Sequence, residues 1–85
     1  MTQQTLNISS HRYNPNTDVL YFRTADYSGN FSYTKEFEDG IYMMYDIENN
    51  NLVAISVMDV SKRKDVLYPW FISIGLPTEP LSQIN

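Results

Sequence analysis

Four aspartates are the first residues in this sequence whose type and spacing suggest chemistry. They lie at the ends of stretches in which apolar and polar residues alternate, and they are Asp18, Asp39, Asp46 and Asp59. Carboxylates brought together can bind a divalent cation or transfer protons. Their spacing does not match a calcium-binding loop, and aspartates at such places commonly stabilise turns by hydrogen bonds to the backbone. We therefore expect turn-stabilising roles, with a carboxylate site as the alternative.

Tyr21 and Arg23 form a second candidate group, because two residues of separation puts them on one face of a strand. An arginine at such a place can bind an anion, or it can pair across strands with Asp46 or Asp59 while an aromatic ring packs on its stem. The alternative function is therefore a small-ligand or metal-binding domain with a carboxylate and arginine site. Its residues would be Asp18, Tyr21, Arg23, Asp46 and Asp59.

The composition excludes several classes of enzyme and of binding protein. There is no cysteine and a single histidine, His11, so disulfides, thiol catalysis and sites with two histidines from one chain are ruled out. No nucleophile motif accompanies His11, which we interpret as an exposed edge residue. The net charge of −4 disfavours phosphate backbones. We predict no catalytic residue set, no cofactor, no nucleic acid and no anionic membrane surface as a partner.

The N-terminal residues give no sign of targeting. They carry no basic run followed by an apolar core, so we expect no signal peptide. No apolar stretch approaches the roughly 20 residues that a membrane span requires. Together with the missing cysteines, these features favour a cytoplasmic protein.

Apolar and polar residues alternate in four windows, which is typical of strands with one buried face. The windows are residues 19–23, 31–37, 41–47 and 53–58. Turn residues separate them, including the cluster from Asn14 to Asp18 and the Asp39-Gly40 pair of a tight hairpin. With a further strand from Ile8 to Tyr13, the pattern predicts a mainly β fold, an antiparallel meander of four or five strands.

The last third of the chain has a different character. A short helix or helical turn is expected over residues 61–68, with Ser61 as its cap and Pro69 as its limit. A second short strand or a helical turn is expected after Pro69. The basic run from Lys62 to Lys64 is interpreted as a solvated helix start. The chain is expected to be one domain, with residues 1–7 and 77–85 as flexible tails.

Aromatic residues are abundant, with seven tyrosines in 85 residues. Tyrosine and tryptophan are suited to interfaces, since an apolar ring carries a polar tip. A single small sheet cannot cover both of its own faces. We therefore expect a non-enzymatic interaction module that acts as a homodimer, through the second sheet face and the segment from Leu67 to Ile74. The predicted interface residues are Tyr42, Met44, Tyr68, Trp70 and Phe71.

Residues 11–62 resemble DUF2283, a family of small bacterial proteins of unknown function. The opening of the family is similar to this chain at Tyr13, Pro15, Asp18, Leu20, Tyr21 and Arg23. Asp39-Gly40, Asp46 and the segment from Val53 to Lys62 resemble later parts of its pattern. The chain departs from it at Asn14, Asn16, Ala54 and Ser56, so several family acids are missing. The resemblance implies a small β-rich fold, no established reaction, and an operon-encoded protein as a partner.

Overall fold

The structure, a computed structural model, describes residues 8–25 and 31–84. Five strands form one antiparallel sheet, and a helical segment follows it in the chain. The strands are β1 (Ile8–Asn14), β2 (Val19–Thr24), β3 (Ser32–Glu38), β4 (Ile41–Asp46) and β5 (Leu52–Val57). The mainly β, antiparallel fold class predicted from the alternation is confirmed.

The strand order is β1-β2-β5-β4-β3, and it differs from an uninterrupted meander. A meander would pair β2 with β3. Instead β3, β4 and β5 form a three-stranded meander, and the β1–β2 hairpin joins it when β2 pairs with β5. This brings residues 20–23 beside residues 54–57, and the pairing makes β5 the central strand of the sheet.

Local turn chemistry explains how the hairpins close. Asp39 and Gly40 connect β3 to β4, and Gly40 has φ +80°, a left-handed conformation that glycine adopts without steric cost. The turn from β4 to β5 is closed by Asp46, whose backbone N–H donates to the Asn51 carbonyl at 2.9 Å. Asn50 in this turn has φ +62°, which asparagine tolerates better than most residues.

The helical segment packs on one face of the sheet. It consists of a 3-10 turn (Val60–Lys62), α1 (Lys64–Ile74) and α2 (Glu79–Ser82). Phe71 of α1 contacts Phe22 of β2 edge-to-face, with ring centroids 5.5 Å apart. The core that lies between the layers contains Leu20, Phe22, Ile41, Met43, Ile55, Val57, Val60, Leu67, Phe71, Leu76, Leu81 and Ile84.

Ser61 does not cap the helix, because α1 begins at Lys64 with Arg63 as its N-cap. Two further expectations for this segment are wrong. Pro69 does not end the helix, because α1 continues through it to Ile74. A proline removes one backbone hydrogen bond, and the burial of Leu67 and Phe71 on either side of it offsets that loss. The second error concerns residues 77–85, because α2 forms within them and Leu81 and Ile84 are nearly fully buried. Residues 1–7 and 85 lie outside the described residues.

Candidate functional site

The face of the sheet opposite the helices is the candidate site, and we call it the open face. Strand residues alternate between the two faces, and those of the core all point toward the helices. Most of the strand residues on the opposite face have exposed or half-buried side chains, and the exceptions, Val19 and Asp46, are at strand ends. The open face is defined by Ser10, Arg12, Tyr21, Arg23, Thr34, Glu36, Tyr42, Met44, Ala54 and Ser56.

The strand register arranges these residues in two rows across the sheet. In the first row, β5 contributes Ser56, which is flanked by Tyr21 and Tyr42, and the row ends are Arg12 on β1 and Glu36 on β3. Side chains directly opposite each other in an antiparallel pair lie on the same face. The open face therefore carries a cation at one edge and an anion at the other, in the same row.

The second row also has a small residue at its centre with a larger residue on either side, but its ends are uncharged. Ala54 occupies the centre, Arg23 and Met44 flank it, and Ser10 and Thr34 form the ends. The small side chains of β5 leave a depression between the larger residues of β2 and β4. A groove of about 530 Å³ lies there, lined by Ser10, Arg12, Tyr21, Arg23, Ala54 and Ser56 among others.

The structure brings Tyr21 and Arg23 together in the groove, but it does not bring the predicted aspartates to them. Asp46 is 5% exposed, and its Oδ1 accepts hydrogen bonds from the backbone N–H groups of Glu48 and Asn49 at 2.7 and 3.2 Å. Asp59 is exposed at the opposite end of β5. The two carboxylates are therefore separated by the length of β5, which is roughly 20 Å for its six residues.

Asp18 lies near Asp59 and stabilises the connection between β2 and the helical segment. Its Oδ1 accepts hydrogen bonds from the Tyr13 hydroxyl at 2.7 Å and from the Ser61 backbone N–H at 3.1 Å, and its Oδ2 accepts one from the Ser61 hydroxyl at 2.8 Å. Loss of hydration raises the pKa of Asp18, but the donors and the Lys62 charge outweigh it and leave this pKa below its ordinary value. The same hydrogen bond raises the pKa of Tyr13.

The five-residue carboxylate and arginine site is therefore not assembled as one site. Asp18, Asp46 and Asp59 lie at two ends of the sheet, since each belongs to a different turn or strand end. Across residues 8–25 and 31–84, no group of three or more histidine, aspartate or glutamate side chains could hold a metal ion. The bonds of Asp18 and Asp46 are those of turn-stabilising residues.

The predicted interface residues are divided between the two layers. Tyr42 and Met44 lie half-buried on the open face, whereas Tyr68 is half-exposed on α1, across the sheet. Trp70 packs against Phe37 and Phe71, and Phe71 is 0% exposed. Including Phe71 in an interface was wrong, because its position on the inner side of α1 makes it a core residue of the single chain.

The basic run also has a role that its sequence did not indicate. Arg63 is not a solvated charge, because its Nη atoms donate to the carbonyls of Asp39 at 2.8 Å and Met58 at 2.6 Å. It thereby holds the β3–β4 turn against the end of β5. A Cβ atom on Gly40 would lie 2.8 Å from Nη2 of Arg63, so glycine also makes room for the guanidinium.

Sequence reasoning missed Arg12, Glu36, Ala54 and Ser56 as site residues. Alternation within each strand places them on one face, but their common rows depend on the pairing of β2 with β5, which no local pattern indicates. The exposed His11 faces the other side of the sheet, tilted against Phe22 with ring centroids 6.3 Å apart. His11 is also among the residues that line the groove, but it belongs to neither row of the open face.

Comparison with known proteins identifies the family of this chain. The profile of the family described as protein of unknown function (DUF2283) matches residues 11–61. This match covers more than half of the chain, and the chain belongs to that family. No curated protein and no solved structure matches it. Within the described part of the chain, no helix is both long and apolar enough to cross a membrane. The cytoplasmic location stays a prediction.

Proposed function

We propose that this protein is a non-enzymatic association module that forms a homodimer through its open face. The observation that carries the proposal is the layout of that face. Its central strand presents small residues, tyrosine and methionine flank them, and opposite charges lie at opposite edges. A second copy supplies the complement to each of these features, since it carries the same face.

The composition of the open face suits protein association better than solvent exposure. Aromatic residues and methionine are enriched in interfaces, and Tyr21 is 41% exposed in the single chain. Ala54 and Ser56 are short enough for another sheet to approach to the usual spacing of about 10 Å. Packing a second sheet here completes the two-sided burial that a single small layer lacks.

The test compares a charge placed on the open face with a charge placed on the helical layer. We expect the wild-type chain to be a dimer by light scattering, Ala54→Glu to be a monomer, and Val66→Glu to remain a dimer, because Val66 is 71% exposed on α1. Circular dichroism verifies that each variant is folded, and Ser56→Glu provides a second variant. A monomeric wild type, or a dimer that only Val66→Glu disrupts, contradicts the proposal.

A small anionic ligand is the second candidate function, because Arg12 and Arg23 line one groove together with hydroxyl groups. Guanidinium groups bind carboxylates and phosphates in planar, two-pronged geometry. Thermal unfolding with and without inorganic phosphate or citrate tests it. A concentration-dependent rise in Tm that Arg12→Gln abolishes supports ligand binding, and an unchanged Tm contradicts it.

An operon-encoded protein partner stays a prediction from the family resemblance. If such a protein covers the open face, Ala54→Glu removes it from a complex isolated from the native host. Mass spectrometry of the wild-type and Ala54→Glu complexes distinguishes this partner from a second copy.

A further inference from the structure

We infer that the two copies pack with a two-fold axis parallel to β5, so that Arg12 lies over the partner's Glu36. This inference rests on the proposed function and adds the geometry that determines which partner the open face accepts. It follows from the order of residues in the first row, which has a basic edge, a small centre and an acidic edge, and from the small centre that the second row shares with it.

The first row is self-complementary about its centre. Arg12 lies two strands to one side of Ser56, and Glu36 lies two strands to the other side, each about 10 Å away at the usual strand spacing. Rotation by 180° about an axis along β5 exchanges the two sides and keeps the position along the strand. Arg12 then faces the partner's Glu36, and the partner's Arg12 faces Glu36.

The same rotation places the central residue of each row opposite the same residue of the partner. Ser56 faces the partner's Ser56, and Ala54 faces the partner's Ala54, so the smallest side chains meet where the sheets must approach most closely. Tyr21 faces the partner's Tyr42, which pairs two aromatic residues. A crossing angle of about 30° between the strands of packed sheets leaves these central pairs in place.

The other symmetric arrangement is disfavoured by its charges. A two-fold axis perpendicular to the strands places β1 over the partner's β1 and β3 over the partner's β3. Arg12 and the partner's Arg12 then lie along the same edge, and Glu36 and the partner's Glu36 lie along the other edge. Like charges brought together across an interface are unfavourable, so the charges select the axis along β5.

The open face is small, so the charge pairs at its edges contribute noticeably to the stability of the dimer. Five strands give a width of about 24 Å, and six residues give a length of about 20 Å, so each copy covers about 480 Å² in projection. Two copies bury about 1,000 Å², at the lower end of specific interfaces. Each dimer contains two Arg12–Glu36 pairs, and replacing both attractions by repulsions is expected to weaken dimerisation by about tenfold or more.

Charge reversal with complementation tests the inference in the full-length chain. Arg12→Glu and Glu36→Arg are each expected to dissociate about tenfold more readily than the wild type by analytical ultracentrifugation. A mixture of the two single variants is expected to form a mixed dimer preferentially. In that dimer the introduced glutamate of one variant meets the introduced arginine of the other at one edge, and the unchanged Arg12 and Glu36 meet at the other edge. The double variant is expected to dimerise as the wild type does.

Matched controls separate this geometry from a general effect of charge. Lys35→Glu makes the same change in net charge as Arg12→Glu, but Lys35 pairs with Met43 and points to the other face of the sheet. Glu48→Arg makes the same change in net charge as Glu36→Arg, but Glu48 lies in the exposed β4–β5 turn. Both controls are expected to change the dissociation constant by less than about threefold, as surface charges away from an interface contribute little.

The possible failures are distinguishable. A monomeric wild type overturns the proposed function and this inference together. A wild-type dimer that neither Arg12→Glu nor Glu36→Arg weakens, or a mixture of the two without preference for the mixed dimer, overturns the inference and leaves the association module standing. Equal weakening by the control variants also overturns it.

Discussion

The two faces of one sheet differ sharply, although the same strands build both. Phe22 and Ile55 are 0% exposed on the covered face, while their chain neighbours Tyr21 and Ala54 point to the open face. The covered face is apolar on β2, β4 and β5, where it meets the helices, whereas the open face mixes small, aromatic and charged side chains. The difference indicates that the covered face stabilises the single chain, and the open face is the one that the proposed dimer would bury.

The largest expected effect comes from truncating the covered face. Phe22→Ala is expected to lower the free energy of unfolding by about 3–5 kcal/mol, because a fully buried ring that contacts Phe71 is replaced by a cavity. Urea denaturation at a low protein concentration measures it. A loss below about 1 kcal/mol would show that the helices do not form a tight core with the sheet.

Asp18 tests the polar junction that joins the helical segment to the sheet. Asp18→Asn is expected to lower the free energy of unfolding by about 1–3 kcal/mol at neutral pH, since it removes an ionised acceptor from Tyr13 and Ser61. Asparagine is a close control for shape and for the φ of +57° at this position. An unchanged stability contradicts the role of the carboxylate in this junction.

The same residue gives stability a defined dependence on pH. Because the pKa of Asp18 in the folded chain lies below its ordinary value of 3.8, its contribution is present above that value. It is lost as the pH falls through the lower, folded-state pKa. Acid titration of unfolding is expected to show a steeper loss for wild type than for Asp18→Asn. Parallel curves for the two proteins would contradict this assignment.

Gly40 tests the contact between the hairpin turn and Arg63. Gly40→Ala is expected to lower the free energy of unfolding by about 1–2 kcal/mol, through its positive φ and the close approach of the guanidinium. The double variant with Arg63→Ala separates these causes. If the backbone is the main cause, the alanine at position 40 has the same effect in both backgrounds, and if crowding is the main cause, its effect falls when Arg63 is removed.

The smallest expected effect on the single chain comes from the open face. Tyr21→Ala is expected to lower the free energy of unfolding by less than about 1 kcal/mol under dilute conditions, because its ring is 41% exposed. Comparison with Phe22→Ala, one residue away, sharpens the contrast between the faces. A loss as large as that of Phe22→Ala would mean that the open face is part of the single chain's core.

Local features of the fold were predictable from the sequence, whereas contacts between distant segments were not. The alternation in β4 and β5 and the Asp39-Gly40 turn depend on neighbouring residues. The insertion of β5 between β2 and β4 depends on contacts between strands that are far apart in the chain, such as Phe22 with Ile55. The continuation of α1 through Pro69 likewise depends on packing against the sheet.

In the candidate site, too, the local features were predictable from the sequence and the contacts between distant segments were not. Tyr21 and Arg23 were placed on one strand face correctly, because alternation is local. Asp46 or Asp59 was the expected partner of Arg23, but Asp46 accepts hydrogen bonds from the backbone of its own turn. The rows that join Arg12 to Glu36 could be assigned only once the strand order was known.

The central claim is that the open face joins two copies, and the molar mass of the wild-type chain in solution tests it most directly. Light scattering across micromolar concentrations is predicted to give twice the 9.9 kDa of the single chain, falling toward 9.9 kDa on dilution. A mass of 9.9 kDa at every concentration would contradict the claim.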